Sequence, residues 1–321
     1  MLGAALLFGI GVYLPLLPVN PQSHTFKYVT VRPGETATAI GESLRRQGII
    51  RSAWAFAFLS QVDHLASSLK SGVYRLSPHD SLTAILDRMR AGQVVVIKVT
   101  IPEGFTVKQV VARLVAAHIG TPADYRSLLA KPLPGMPAPA TGVRDPWEGY
   151  LFPATYSFAW GTTPQTALAV MWQTFQARVR PLYRAAHTSL TFTQWVTLAS
   201  IIQSEDGVAS DAPKIAAVFM NRMAAGMPLQ SDATVRYALQ RTVAGGLTLG
   251  DLRVASAYNT YLHRGLPPGP ICNPGLLMLR AALSPAPVPY LYFLALRNGK
   301  DLFATTYQQH LSNIAWANAH S

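Results

Sequence analysis

TFTQWVTLASIIQSEDG, residues 191–207, is the stretch on which the fold turns. Thr191 followed three residues on by Gln194 is a capping-box start. Gly207 is a natural helix stop, so the spacing predicts a helix over 191–207. Trp195, Leu198, Ile202 and Glu205 recur at helical intervals and share one face. Glu205 thus continues a stripe that is otherwise apolar. A carboxylate placed there loses water, and desolvation favours its neutral form. A carboxylic acid held neutral is what a general acid requires. The other reading is a helix-end Glu that simply reaches solvent.

The chain around this helix has 321 residues, enough for two or more cores. Half of it is apolar, which excludes a disordered chain. Lys and Arg outnumber Asp and Glu by 27 to 15, a net charge of +12. That excess points to nucleic acid, acidic lipid headgroups or an anionic wall polymer as neighbours. With no Lys/Arg run or recognised motif, nucleic acid is the least favoured. Cys272 is the single cysteine, which excludes an internal disulfide and cysteine-based metal clusters. No HExxH pattern and no GxSxG elbow occurs, so neither metallohydrolase nor serine-nucleophile chemistry is supported.

Towards the N-terminus, residues 2–19, LGAALLFGIGVYLPLLPV, carry no charge. Their length is near the minimum for a membrane span. A cleaved signal peptide would need a basic start and a small-x-small site, and neither is evident. An uncleaved anchor is expected, with the rest of the chain facing outward.

An internal repeat comes next. VTVRPGETATAIGESLRRQGI begins at Val29 and VTIPEGFTVKQVVARLVAAHI at Val99, an offset of 70 residues. Gly34 matches Gly104, Thr36 matches Thr106, and Leu44 matches Leu114. Each copy reads as a short strand, a Gly turn, a Thr cap and a helix with apolar i, i+4 positions. A second helix succeeds each, at 52–62 and 122–130. The first copy closes with a strand over 72–76. This β-α-α-β order resembles the LysM fold, a glycan-binding module.

Between the copies, residues 81–91 read as a helix with Leu82, Ile85, Leu86 and Met89 apolar. Residues 94–101 read as a strand buried on both faces. Residues 131–140, KPLPGMPAPA, hold four prolines and form a loop. Residues 147–158, WEGYLFPATYSF, are aromatic-dense. They suit either a sugar-lining surface or a core strand closing the second repeat, with Tyr156 and Phe158 in place of Tyr74 and Leu76.

Beyond, residues 164–179 read as an amphipathic helix. Asp211 caps a buried helix running through Met223 to Gly226. Asp232 either caps the next turn or serves as a second carboxylate. Thr248 and Asp251 start another helix in capping-box positions. Residues 257–275 form a rigid Gly/Pro loop of the kind that carries ligand contacts. Asn273-Pro274 starts a helix by Ncap and N1 chemistry. Asn298-Gly299 between two β runs predicts a hairpin, and residues 307–319 are a last helix.

Five segments in this order carry a family resemblance: EGYLFPATYSF from Glu148, LASIIQSED from Leu198, VFMNRMAAGMPLQSDATVRY from Val218, AYNTYLHRGLPPGPICNPG from Ala257 and PYLYFLA from Pro289. The chain resembles the endolytic murein transglycosylases, the YceG-like or MltG proteins. The resemblance implies an α+β architecture. Its parts are a membrane helix at 1–19, LysM-like modules at 26–94 and 95–144, and a mainly helical, lysozyme-like catalytic domain with a β-hairpin at 145–321. It implies a single-pass cell-membrane protein with an extracytoplasmic catalytic domain and no cofactor or metal. The family helix usually carries two acidic residues; here Gln203 replaces the first and Glu205 retains the second.

The resemblance makes Glu205 the catalytic acid. It makes Glu148, Tyr150, Gln230, Asp232, Tyr258, Asn259, Thr260 and Tyr261 the glycan contacts. The implied reaction cleaves nascent peptidoglycan strands internally, between N-acetylmuramic acid and N-acetylglucosamine, and leaves 1,6-anhydro ends. Implied partners are glycan strands, the membrane, and peptidoglycan synthases (penicillin-binding proteins) with elongation or division proteins. Two rivals stand beside this reading. One is a non-catalytic peptidoglycan-binding scaffold; the other is a true muramidase using Asp232 as second carboxylate.

Overall fold

The structure is a computed structural model that describes residues 14–62, 69–205, 209–241, 246–296 and 301–320. The anchor stretch up to residue 13, Asp206, the Gly207 stop and the Asn298-Gly299 turn lie outside the described residues. Among the described residues no helix is long and apolar enough to cross a membrane. Leu14–Leu16 forms a short 3-10 turn. The chain divides into two compact units, residues 1–98 with 157–162, and residues 99–156 with 163–321.

In the first unit β1 (Lys27–Val31) pairs antiparallel with β2 (Gly72–Leu76), Thr30 opposite Val73. Thr36 caps α1 (Ala37–Arg46) by accepting the Ala39 N–H. α2 (Ala53–Val62) and α3 (Leu82–Ala91) complete the unit. A two-stranded sheet is marginal alone and needs a packed face. Val29 and Val31 supply it, against Ile40, Leu44, Phe56, Tyr74, Ile85 and Met89.

The second copy begins with β3 (Val96–Thr100), which pairs with β4 (Thr155–Ala159). The boundary between the units falls inside both strands. Between them lie α4 (Val107–Ala116) and α5 (Pro122–Leu129), each started by a complete capping box, at Thr106 with Gln109 and Thr121 with Asp124. The β-α-α-β order therefore occurs twice. The copies agree in detail: Gly34 and Gly104 take φ of 77° and 80°. The hydroxyls of Tyr74 and Tyr156 each donate to the carbonyl four residues back. The expectation that the third strand is buried on both faces is corrected. Val99 is buried while Val96, Lys98 and Thr100 are exposed, because a two-stranded ribbon has one covered face. The closing strand is also shorter than the aromatic stretch, with Tyr156 and Phe158 pointing inward.

α6 (Pro164–Ala185) runs past the expected end at 179 and through Pro181. α7 (Phe192–Ser204) starts with the expected Thr191–Gln194 capping box. Its burial differs from the one-face expectation: every residue from Trp195 to Ile202 is buried. It packs on α8 (Ala212–Ala224) and α10 (Leu276–Leu283). A helix covered all round is a core helix, and this one anchors the second unit.

Several expected starts are corrected. Asp211 stands before α8 but makes no side-chain cap; its carboxylate takes Lys214 Nζ at 2.9 Å instead. Ser231, not Asp232, precedes α9 (Asp232–Leu239). Thr248 and Asp251 bond reciprocally as expected, yet they open only a single 3-10 turn, Asp251–Arg253. Gly275, not Asn273, is the N-cap of α10, because Asn273 is drawn into the interior. β5 (Tyr292–Ala295) and β6 (Asp301–Ala304) pair antiparallel as a hairpin. α11 (Tyr307–Ala319) is the last helix, capped by Thr306.

Candidate active site

Glu205 is the C-cap of α7, with extended backbone at φ −85° and ψ 130°. It leaves the helical stripe, because the last helical residue is Ser204. The carboxylate is half-buried rather than desolvated on an apolar face. Oε1 accepts a hydrogen bond of 2.6 Å from the Ser231 hydroxyl. One acidic group is therefore delivered by a rigid core helix onto a fixed hydroxyl.

Ser231 is itself held. Its N–H donates to Thr260 Oγ1 at 3.0 Å, and the hydroxyls of Thr260 and Thr234 lie 2.8 Å apart. Gln230, one residue earlier, has φ of 51°, a left-handed conformation costly for a residue with a side chain. The buried Arg222 braces this turn, donating to the carbonyls of Leu229 and Leu291 at 2.8 and 2.7 Å. The turn aims the Ser231 hydroxyl at Glu205 instead of capping α9. On the rim, Asp232 is exposed and accepts from the Tyr261 hydroxyl at 2.6 Å. Burial and that carboxylate together raise the Tyr261 phenol. Glu205, Gln230, Asp232, Thr260 and Tyr261 are thus brought into one neighbourhood.

Glu148 belongs to a second cluster. It is buried, and its carboxylate accepts from Val107 N–H at 3.0 Å and the Tyr237 hydroxyl at 3.3 Å. Asn273 Nδ2 approaches at 3.5 Å and also donates to Phe105 O at 2.8 Å. Burial holds the Glu148 carboxyl well above the usual carboxylate range, Asp145 adds to this, and the donated bonds oppose it. Tyr258 is buried against Tyr237, ring centroids 4.9 Å apart. Tyr150 lies in the core, edge-on to Trp172 and Phe175. Asn259 is fully buried; its amide N–H groups reach Leu252 O and Val254 O, and its Oδ1 takes Tyr261 N–H.

A cleft of about 720 Å³ opens beside Glu148, and Ser204, next to Glu205 in the chain, reaches it while Glu205 and Ser231 do not line it. Its walls include Ser204, Glu148 and Tyr237, and the cations Lys108, Arg144 and Arg236. Gln203, where the resemblance expects an acid, accepts the Gly275 N–H at 2.9 Å and ties α7 to the start of α10. Sequence reasoning misses Ser231, Tyr237, Arg222 and Asn273 as site residues. Only the QSD run beside an expected helix start hints at Ser231, and its natural reading is a cap.

Comparison with known proteins gives the family. Residues 29–316 match the model of the YceG-like family. An endolytic murein transglycosylase of Bacillus subtilis is 31% identical, over 97% of this chain and 89% of its own length. One of Streptococcus pneumoniae is 29% identical, over 94% of this chain but 60% of its own length. The crystal structure of a YceG-like protein from Listeria monocytogenes is 32% identical, covers 90% of this chain and 99% of its own, and superposes with a TM-score of 0.57. Matched from the first strand into the last helix, the chain belongs to the YceG-like family.

Proposed function

We propose that this protein is a lytic transglycosylase that cuts peptidoglycan strands internally, at the bond from N-acetylmuramic acid to N-acetylglucosamine. The observation that carries the reading is the Glu205 carboxylate, fixed at the end of a buried helix by the Ser231 hydroxyl at 2.6 Å. The names of the curated relatives support the same reaction class.

Protonated Glu205 gives its proton to the glycosidic oxygen as the bond to the anomeric carbon breaks. The 6-hydroxyl of the same muramic acid attacks that carbon. Glu205, now ionised, takes the hydroxyl proton, and the new end is 1,6-anhydro. The nucleophile is already on the substrate, so its effective concentration is high. No second carboxylate is required, whereas a hydrolase needs one. The engagement of Asp232 by Tyr261 supports the single-carboxylate route. Gln230, Asp232 and Tyr261 line the rim and contact sugar. Thr260, Asn259 and Tyr258 fix the loop beneath them, Glu148 holds the wall, and Tyr150 supports it from the core.

In the same reading residues 1–19 anchor the chain in the cell membrane with the catalytic part outside. The segments 26–94 and 95–144 act as LysM-like modules ahead of a catalytic domain at 145–321, in reach of peptidoglycan synthases. The test is mass spectrometry of products from uncrosslinked glycan strands, wild type beside Glu205→Gln. Internal fragments ending in 1,6-anhydro-N-acetylmuramic acid, absent from the variant, are expected. Reducing ends would replace this reading with hydrolysis through Asp232. Intact strands with both proteins would replace it with the scaffold.

A further inference from the structure

The outer face of α2 is left unused by this reaction. The helix, AWAFAFLSQV, contains no charged residue. Ala55, Phe56 and Ser60 turn to the core. Trp54, Phe58 and Val62, at i, i+4 and i+8, turn outward with 71, 48 and 56% of their surface exposed. The rings of Trp54 and Phe58 stack with centroids 5.1 Å apart, and Val62 follows one turn on along the same face. Apolar side chains grouped on one face, rather than scattered singly, are where an interaction site is to be sought.

The place of α2 in the chain identifies what covers it. Arg51 clamps the end of the uncharged run 2–19: its Nε and Nη2 donate to Pro18 O at 3.0 and 2.8 Å, and Nη2 to Val19 O at 3.1 Å. Asn20 N–H bonds Pro78 O at 2.9 Å, and Leu16 packs on the core of the unit. The end of the run is therefore fastened to the start of α2. Three residues of chain reach at most about 11 Å, so Trp54 begins close to that clamp. Leu14 and Leu17, on the run itself, are also exposed.

We infer that Trp54, Phe58 and Val62 lie in the interfacial layer of the phospholipid bilayer that residues 2–19 enter. The inference rests on the anchor reading given above. Tryptophan is suited to that layer by its amphipathic ring, and Arg51 beside it suits anionic headgroups. A sugar platform would ring its aromatics with polar side chains to bond hydroxyls. On α2 the exposed polar side chain is Gln61, and the remainder of the face is apolar. Lying flat, the helix would sink about 5–10 Å into the headgroup boundary and fix the attitude of the first unit to the membrane.

The test uses the full chain reconstituted in phosphatidylglycerol–phosphatidylethanolamine vesicles. Tryptophan emission is quenched with lipids brominated at shallow acyl positions, or with acrylamide in the water, and wild type is compared with Trp54→Phe. The Trp54 difference signal should fall at least about twofold with brominated lipid and be shielded from acrylamide. Equal acrylamide quenching with and without vesicles would overturn the inference. So would shielding brought on by glycan strands, or by raising protein concentration without lipid. Flotation of the vesicles after a high-salt wash separates the two readings. Protein that floats with Trp54 exposed to water sinks this inference alone, and protein that does not float sinks the anchor with it.

Discussion

Glu148 and Glu205 are carboxylates of one compact unit, and the chain surrounds them differently. Glu148 is buried among Val107 N–H, Tyr237 and Asn273, and burial pushes its carboxyl up. Glu205 is half-buried at a helix end and accepts from the Ser231 hydroxyl at 2.6 Å. The first arrangement commits the carboxyl to structure, joining the start of α4 to α9 and to the loop before α10. The second leaves access for a substrate oxygen while the Ser231 hydroxyl helps to set direction. A strongly raised carboxyl is thus not by itself the mark of the reacting acid.

The largest expected effect separates the two groups by activity. Glu205→Gln should lower glycan cleavage by about 10²–10⁴-fold, the usual share of general acid–base catalysis, with the thermal midpoint little changed. Glu148→Ala should do the reverse. It strands buried donors, each worth about 1–3 kcal/mol, so a loss of about 3 kcal/mol is expected in urea titration. If Glu148→Ala kept full stability and lost the reaction instead, the assignment of the two carboxylates would be exchanged.

Ser231→Ala sharpens the comparison at an intermediate level. Loss of one positioning hydroxyl should lower kcat about tenfold, equivalent to about 1.4 kcal/mol, with KM unchanged. Ser231→Thr should recover part of it, and a uniform fall in folded protein would contradict a positioning role. The next effect is pH-dependent. In the folded state Glu148 retains a proton that the unfolded chain releases, so its presence lowers stability as pH rises. The difference in unfolding free energy between wild type and Glu148→Gln should therefore shift against wild type as pH climbs from about 4.5 towards neutrality. Parallel curves would mean that Glu148 titrates normally. The smallest effect is expected of Asp232→Asn, which should leave the anhydro ends in place and the rate within about threefold. Loss of the reaction there would restore the muramidase.

The sequence is most informative where short-range chemistry decides the outcome. Thr36, Thr106, Thr191 and Thr306 all cap as their spacing requires, and the β-α-α-β repeat is legible from those caps and the two Gly turns. Extending a helical stripe leads to Glu205, but by an imperfect route. The residue has already left the helix, and its burial comes from the loops around it. The hidden part is long-range. Nothing local says that Asn273 should forgo its cap to accept the Leu151 N–H at 2.8 Å, 122 residues away. Nor does the run QSD disclose that Ser231 serves a carboxylate 26 residues earlier. A capping residue and a site residue can share one side chain, and tertiary partners decide between them.

The two repeats close over different lengths of chain. In the first, Thr30 pairs with Val73. In the second, the hydroxyls of Thr100 and Thr155 meet across 55 residues. Because closure entropy grows only with the logarithm of length, the longer span costs on the order of 0.2 kcal/mol more. For that difference the second copy accommodates the proline-rich stretch and the turn carrying Asp145 and Glu148. Over the history of such a chain, insertions here would be nearly neutral to folding. The cleft wall could be lengthened, shortened or re-lined while Val107 and Asn273 keep its end in place.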